Sequence, residues 1–505
     1  MSRVLEAVID HAARSRSAMA LQGQSVSLSY KQLWHAVCEL TGRLRGDGVR
    51  SVAILADNSP ACAVADLACV AMGIPCVPIP LFFSPEQVRH LLTATGVNTL
   101  LTDMPERALP LLDALQVPYN QRADWEHETG IGLQVIDLED VMPRIPHGVA
   151  KVTFTSGTTG EPKGVCLSQQ AMEQVADSLA RVSGATPADR HLSMLPHATL
   201  LENIGGLYAC MLTGATCCLP GLEAVGARGA SGLDVRRFAQ SFGQHEASTC
   251  ILIPQMLLAL VSAMAHGTPH PASLRFIAVG GAPVSPHLLR QAARLGLPVY
   301  EGYGLSEAAS VVAVNRPGAA RFGTVGQPLP HVRLRFAEDG EIEVAGSLFS
   351  GYLHDPDTEV GEFWPTGDIG HLDDEGFLHL TGRKKHIFIT SFGRNVAPEW
   401  VERELTVTKA IAQAVVFGEA RPFNVAVLVP RGAADAGAIA SSVAEANARL
   451  PDYAQVRRWI IADSPFSLDN GQWTGTGRPR RTVIGKAYAK RIEAIYKEED
   501  SDGIL

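Results

Sequence analysis

Apolar residues along this chain follow two alternating rhythms. "SYKQLWHAVCELTGRLRGDG" repeats its apolar positions at helical spacing and ends on glycines, whereas "SVAILAD" is a short continuous run of strand type. "SPACAVADLACVAMG" then reads as a buried helix and "IPCVPIP" as an extended piece. The alternation recurs: "KVTFTS", "CILIP", "LRFIAVGGAPVS" and "LPVYEGYGLSE" each read as a strand leading into a helix, the first into a helix from Ser168. Such alternation predicts an α/β body built on parallel sheets. From about Val332 the pattern changes to short alternating strands, "VRLRFAEDGEIEVAG" and "GFLHLTGRKKHIFIT", which predict a β-rich segment. A charged stretch after Gly382 marks a domain boundary, dividing the chain into 1–382 and 383–505.

Composition narrows the class. A length of 505 residues predicts roughly two to four domains. With 46% hydrophobic and 19% charged residues the core needs no covalent staples. A formal net charge of −9 argues against nucleic acid as a partner. The nine cysteines form no C-x-x-C pair and read as small core residues of a reducing compartment, so the expected location is cytoplasmic. The N-terminus lacks an apolar signal core. The longest apolar run, from Cys250, is broken by Pro254 and Gln255 and reads as a strand entering a buried helix, so no integral membrane segment is expected.

Against this background "TFTSGTTGEPKGV" (153–165) stands out. Glycine and hydroxyl side chains this dense favour a loop. In such a loop glycines let backbone N–H groups converge on an anion, hydroxyls add donors and a lysine adds charge, so phosphate is the natural guest. The G-x-x-x-x-G-K-[ST] pattern fails here. Counted from Gly157, Pro162 stands where glycine is needed and Gly164 follows Lys163.

Four motifs in order, "TFTSGTTGEPKGV", "EGYGLSE" (301–307), "PTGDIG" (365–370) and "GRKKHIFITSFGRNVAPEWVE" (382–402), resemble those of the adenylate-forming superfamily, and "LSYKQLWHAV" and "GIPCVPIPL" are similar to its N-terminal part. The resemblance is closest to the long-chain fatty acyl-CoA synthetases. It implies a large N-terminal domain of parallel α/β sheets with a small β-barrel-like subdomain, followed by a small mobile α+β C-terminal domain. It implies a reaction in which a carboxylic acid, here a hydrophobic fatty acid, attacks the α-phosphate of ATP. Pyrophosphate leaves, and coenzyme A then displaces AMP; loading of an acyl carrier protein and non-catalytic binding of acyl group or nucleotide are the alternatives.

The resemblance also assigns residues. Thr155, Ser156, Thr158, Thr159 and Lys163 would grip the β- and γ-phosphates while Gly157 and Gly160 permit close approach. Tyr303, between Gly302 and Gly304, would face the adenine. Ser306 would donate to the α-phosphate, and Glu307 would hold Mg²⁺, a hard cation that takes carboxylate and phosphate oxygens. Asp368 would accept the ribose hydroxyls with help from Arg383, and Lys385 falls where the family pivots its C-terminal domain.

Two departures stand out. The His expected three residues before Glu202 is Thr199, with His197 two residues earlier. The lysine that bridges carboxylate and α-phosphate is also missing from "NGQWTGTGRPRR". Arg478 stands at that position, with Lys486 of "VIGKAYAKRI" as a rival. Arginine keeps the charge and can bridge two oxyanions by its fork.

Overall fold

The computed structural model describes residues 2–15, 17–139, 144–155, 162–228, 232–474 and 477–502. Local chemistry starts the helices where the sequence pattern predicts them. Tyr30–Gly46 opens on a reciprocal cap in which Ser29 and Gln32 each accept from the other's backbone N–H. Pro60–Met72 begins on Ser59 with Pro60 in its first turn and ends at Gly73, whose φ of 68° suits glycine.

Two large sheets carry the body. In one, Val299–Tyr303, Phe276–Val279, Thr249–Leu252, Arg190–Leu192, Thr216–Leu219 and Met19–Gly23 run parallel in that spatial order, with antiparallel strands at both edges. In the other, Lys151–Thr155, Cys76–Pro78, Val52–Leu55 and Thr99–Thr102 are parallel neighbours. One core joins them: Leu21 and Cys217 from the first sheet, Val52 and Val165 from the second, and the helices Tyr30–Gly46, Pro60–Met72 and Gln169–Ser183. Strands buried on both faces explain the continuous apolar runs. All nine cysteines are free, and all except Cys38 are buried. Among the described residues no helix is long and apolar enough to cross a membrane.

A buried ion pair ties the sheets to the segment that follows. Lys151 Nζ, 2% exposed, pairs with Asp66 and donates to Asn203 Oδ1 at 2.6 Å, while Tyr208 donates to Asp66 Oδ2 at 2.7 Å. Asn203 and Tyr208 bound a π-helical turn.

The later sheets are smaller. Arg333–Phe336, Glu341–Ala345, Trp364–Leu372 and Leu378–Arg383 form an open four-stranded antiparallel sheet. No closed barrel is present among the described residues. Ile411–Phe417, Asn424–Pro430 and Val456–Ile461 make a three-stranded sheet accompanied by the helices Pro398–Thr406, Ala436–Asn447 and Arg481–Asp502.

Two local expectations change. The helix expected after "EGYGLSE" is a single 3₁₀ turn, Ser306–Ala308, because Ala309 (φ 50°) and Ser310 (φ 97°) enter the left-handed region and turn the chain into the strand Ala313–Val314. The segment read as one loop is partly a hairpin, with Lys163–Leu167 pairing antiparallel to Lys151–Thr155. Glycine and lysine in "KGVCL" blur the alternation that would have marked the second strand.

Candidate active site

The parallel strands end at a cleft of about 2990 Å³, to whose lining the C-terminal segment also contributes. Ligands of open α/β sheets sit at such strand ends. Thr155 ends one strand and Lys163 begins its antiparallel partner, so the hairpin register sets the two side by side on the cleft wall. Ser156, Gly157, Thr158, Thr159 and Gly160 lie outside the described residues.

On another wall, Val299–Tyr303 delivers Gly302 and Tyr303, and the tight turn that follows delivers Gly304, Ser306 and Glu307. Gly304 is required there, since a Cβ would lie 1.6 Å from the Ser310 carbonyl oxygen. Tyr303 donates its hydroxyl to Asp368 Oδ2 at 2.6 Å. Asp368 also pairs through Oδ1 with Arg383 Nε at 2.7 Å, because the two residues face each other across antiparallel strands. Burial raises the Asp368 carboxyl above its ordinary value against the pull of Arg383 and the Tyr303 hydroxyl.

Glu307 accepts the Tyr352 hydroxyl through Oε1 at 2.6 Å. Lys163 Nζ lies over the ring of that tyrosine, 4.7 Å from its centroid. Lys385 lines the cleft two residues beyond Arg383, and burial together with the Arg383 charge lowers its pKa.

The C-terminal contribution is Arg478. Its Nη2 donates to the Gly281 carbonyl at 2.8 Å, bridging to the loop that follows Phe276–Val279. Crowding by protein, Arg383 included, disfavours its charged form, while Asp368, Glu399 and Glu307 favour it. Arg478 as a residue is nevertheless exposed, so solvent screens its charge. Lys486 lies on the exposed face of Arg481–Asp502 and does not line the cleft.

Of the residues near the expected gate, Thr199 lines the cleft, whereas His197 is buried against Ser193 Oγ at 3.1 Å. The histidine that meets Glu202 is His191, at 2.9 Å through Nε2, with Thr249 on its Nδ1. Motif reading missed His191, which is eleven residues away on a neighbouring strand. It also missed Tyr352, for which no spacing pattern offers a signal.

The donor set fits a magnesium nucleotide. Lys163 and Arg478 could supply cations for phosphate, Glu307 a carboxylate for a hard cation, and Asp368, paired with Arg383, acceptors for hydroxyls.

Comparison with known proteins identifies the family. The AMP-binding enzyme profile matches residues 8–367, and the profile of the AMP-binding enzyme C-terminal domain matches 385–500. The chain belongs to the AMP-binding enzyme family. This AMP-binding enzyme is 29% identical, over 519 aligned positions and 86% of each chain, to the long-chain-fatty-acid–CoA ligase of Mycobacterium bovis. It superposes on the amide bond synthetase of Marinactinospora thermotolerans with a TM-score of 0.76 at 26% identity, covering 96% of this chain and 99% of that one. It shares its fold with the O-succinylbenzoate coenzyme A synthetase of Bacillus subtilis, solved in complex with ATP and magnesium ion. That match has a TM-score of 0.74 at 24% identity and covers 94% and 98% of the two chains.

Proposed function

We propose that this AMP-binding enzyme activates a hydrophobic, fatty carboxylic acid with ATP and Mg²⁺ to an acyl-adenylate and then transfers the acyl group to the thiol of coenzyme A. The observation that carries the reading is Arg478, a C-terminal cation that reaches the Gly281 carbonyl within the cleft shared with Lys163, Glu307 and Asp368.

In the first half-reaction a carboxylate oxygen attacks the α-phosphorus, the bond to the bridging oxygen breaks, and pyrophosphate departs. The enzyme supplies orientation and charge, with no covalent intermediate. Thr155, Ser156, Thr158, Thr159 and Lys163 hold the β- and γ-phosphates, and Ser306 donates to the α-phosphate. Glu307 holds Mg²⁺, which neutralises phosphate charge when bound. The Tyr303 ring forms one wall for adenine. Asp368, its two oxygens already engaged by Tyr303 and Arg383, keeps acceptor capacity for the ribose hydroxyls. Arg478 bridges the carboxylate and the α-phosphate in place of the usual lysine. The C-terminal domain, 383–505, turns about Lys385 between the half-reactions.

A hydrophobic acid suits the apolar side chains among the cleft lining, such as Leu201, Ala209, Ile251 and Leu258. The resemblance to a fatty-acid ligase over 86% of the chain supports the same class. The test is ATP-dependent AMP release across a panel of aliphatic and aromatic acids, with coenzyme A, an acyl carrier protein and a simple amine as acceptors. Release with a hydrophobic acid and coenzyme A is expected. Release that requires carrier protein or amine moves the acceptor assignment, and no release with any acid contradicts the reading.

A further inference from the structure

Tyr352 belongs to no motif that singled out the site, yet one side chain touches two of its charged groups. The chain around it is laid beside the strand Lys163–Leu167: Cys166 N donates to the Gly351 carbonyl at 3.1 Å, Ser350 N to the Cys166 carbonyl at 2.8 Å and Leu353 N to the Gly164 carbonyl at 2.7 Å. Glycine at 164 permits this approach, because a Cβ there would already lie 3.0 Å from Leu353 Cβ. Phe349 and Trp364 fix the Tyr352 ring edge to face, with centroids 5.0 Å and 6.2 Å away.

The fixed ring has two polar consequences. Its face lies under the Lys163 ammonium at 4.7 Å, within cation–π range. Its hydroxyl donates to Glu307 Oε1 at 2.6 Å, while the Glu307 backbone carbonyl accepts from Phe349 N at 2.8 Å. Glu307 is therefore held at both backbone and carboxylate by the same segment that carries the ring. Hydrogen-bond donors behind a metal-binding carboxylate fix its orientation.

We infer that Tyr352 is a positioning residue that presets Lys163 for the phosphates and Glu307 for the metal. The inference rests on the reading of the cleft as a MgATP site. A purely structural tyrosine would serve only to pack against Phe349 and Trp364, a role that phenylalanine fills equally well.

The two functions separate by substitution. Tyr352→Phe keeps the ring beneath Lys163 and the packing but removes the hydroxyl. Tyr352→Leu removes both. Calorimetric titration of each protein with MgATP, and with ATP in the presence of EDTA, reads binding without turnover. For Tyr352→Phe the account expects MgATP affinity to fall about tenfold, with binding of metal-free ATP as in the unaltered chain. For Tyr352→Leu metal-free ATP binding also falls, by roughly two- to fivefold. A melting temperature for Tyr352→Phe equal to that of the unaltered chain rules out general loosening, and this variant decides the metal arm even if Tyr352→Leu does not fold. Unchanged or tighter MgATP binding in Tyr352→Phe overturns the orienting role. Unchanged or tighter metal-free ATP binding in a folded Tyr352→Leu overturns the presetting of Lys163. If the unaltered chain binds no MgATP, the nucleotide reading itself fails, a result distinct from either.

Discussion

Arg478 and Gly281 are 197 residues apart in sequence, yet the guanidinium of the first donates to the carbonyl of the second at 2.8 Å. This contact puts a C-terminal cation into the cleft formed by the large α/β body. Removing one oriented charge of this kind typically costs on the order of 10²–10³ in rate. Arg478→Ala is therefore expected to lose adenylation by about that factor and to keep thioester formation from supplied acyl-adenylate, while Lys486→Ala changes neither. The two half-reactions assayed separately check this. Loss of adenylation in Lys486→Ala alone would reverse the assignment.

The Asp368 carboxylate is held by Tyr303 and Arg383 before any ligand arrives. Asp368→Ala is expected to weaken ATP binding and slow adenylation by about 10²-fold or more, whereas Tyr303→Phe, which removes one of the two holding groups, has a smaller effect. Full activity of Asp368→Ala would exclude a ribose contact.

Lys385 lies two residues beyond the last strand of the four-stranded sheet. A pivot must absorb large changes in backbone dihedrals, which proline prevents by fixing φ. Lys385→Pro is expected to preserve one half-reaction and abolish the other. Equal loss of both in a folded variant would mark Lys385 as an ordinary cleft residue.

How much of this could be read from the chain depends on the range of each interaction. Caps such as Ser29 with Gln32, and strands buried on both faces such as Val52–Leu55, are written in adjacent residues, so the α/β alternation was legible. The nucleotide motifs were legible because each is a contiguous run of residues. The strand Lys163–Leu167 and the 3₁₀ turn at Ser306 were not, since pairing register and two left-handed residues decide them. Tyr352 and His191 escaped for a related reason: each acts on a partner that only the fold brings near.

Glu301 offers a pH test. Burial lifts its carboxyl from 4.5 to about 7, opposed by Arg403 and the Val284 N–H. The folded state then holds this proton more tightly than the unfolded chain does. The contribution to stability is fully present below about pH 4.5 and is lost as pH rises through about 7. The melting temperature of the unaltered chain should fall relative to Glu301→Gln across that window. Parallel curves would show that Glu301 does not titrate there.

The pair Lys151 and Asp66 is buried and fully bonded. Asp66→Ala strands the lysine and is expected to destabilise the fold by about 3–5 kcal/mol, whereas replacing both partners with apolar residues costs far less. Denaturant unfolding of the single and double variants checks this. An equal loss in both would mean that packing rather than charge compensation governs the site.

The central claim is formation of an acyl-adenylate. Mass spectrometry of the enzyme incubated with MgATP and a hydrophobic acid, without coenzyme A, reads it directly. The account predicts an ion of the acyl-AMP mass that depends on both substrates, disappears when coenzyme A is added and is strongly reduced in Lys163→Ala and Arg478→Ala. Absence of any acyl-AMP across the acid panel, with the protein folded and ATP bound, would contradict it.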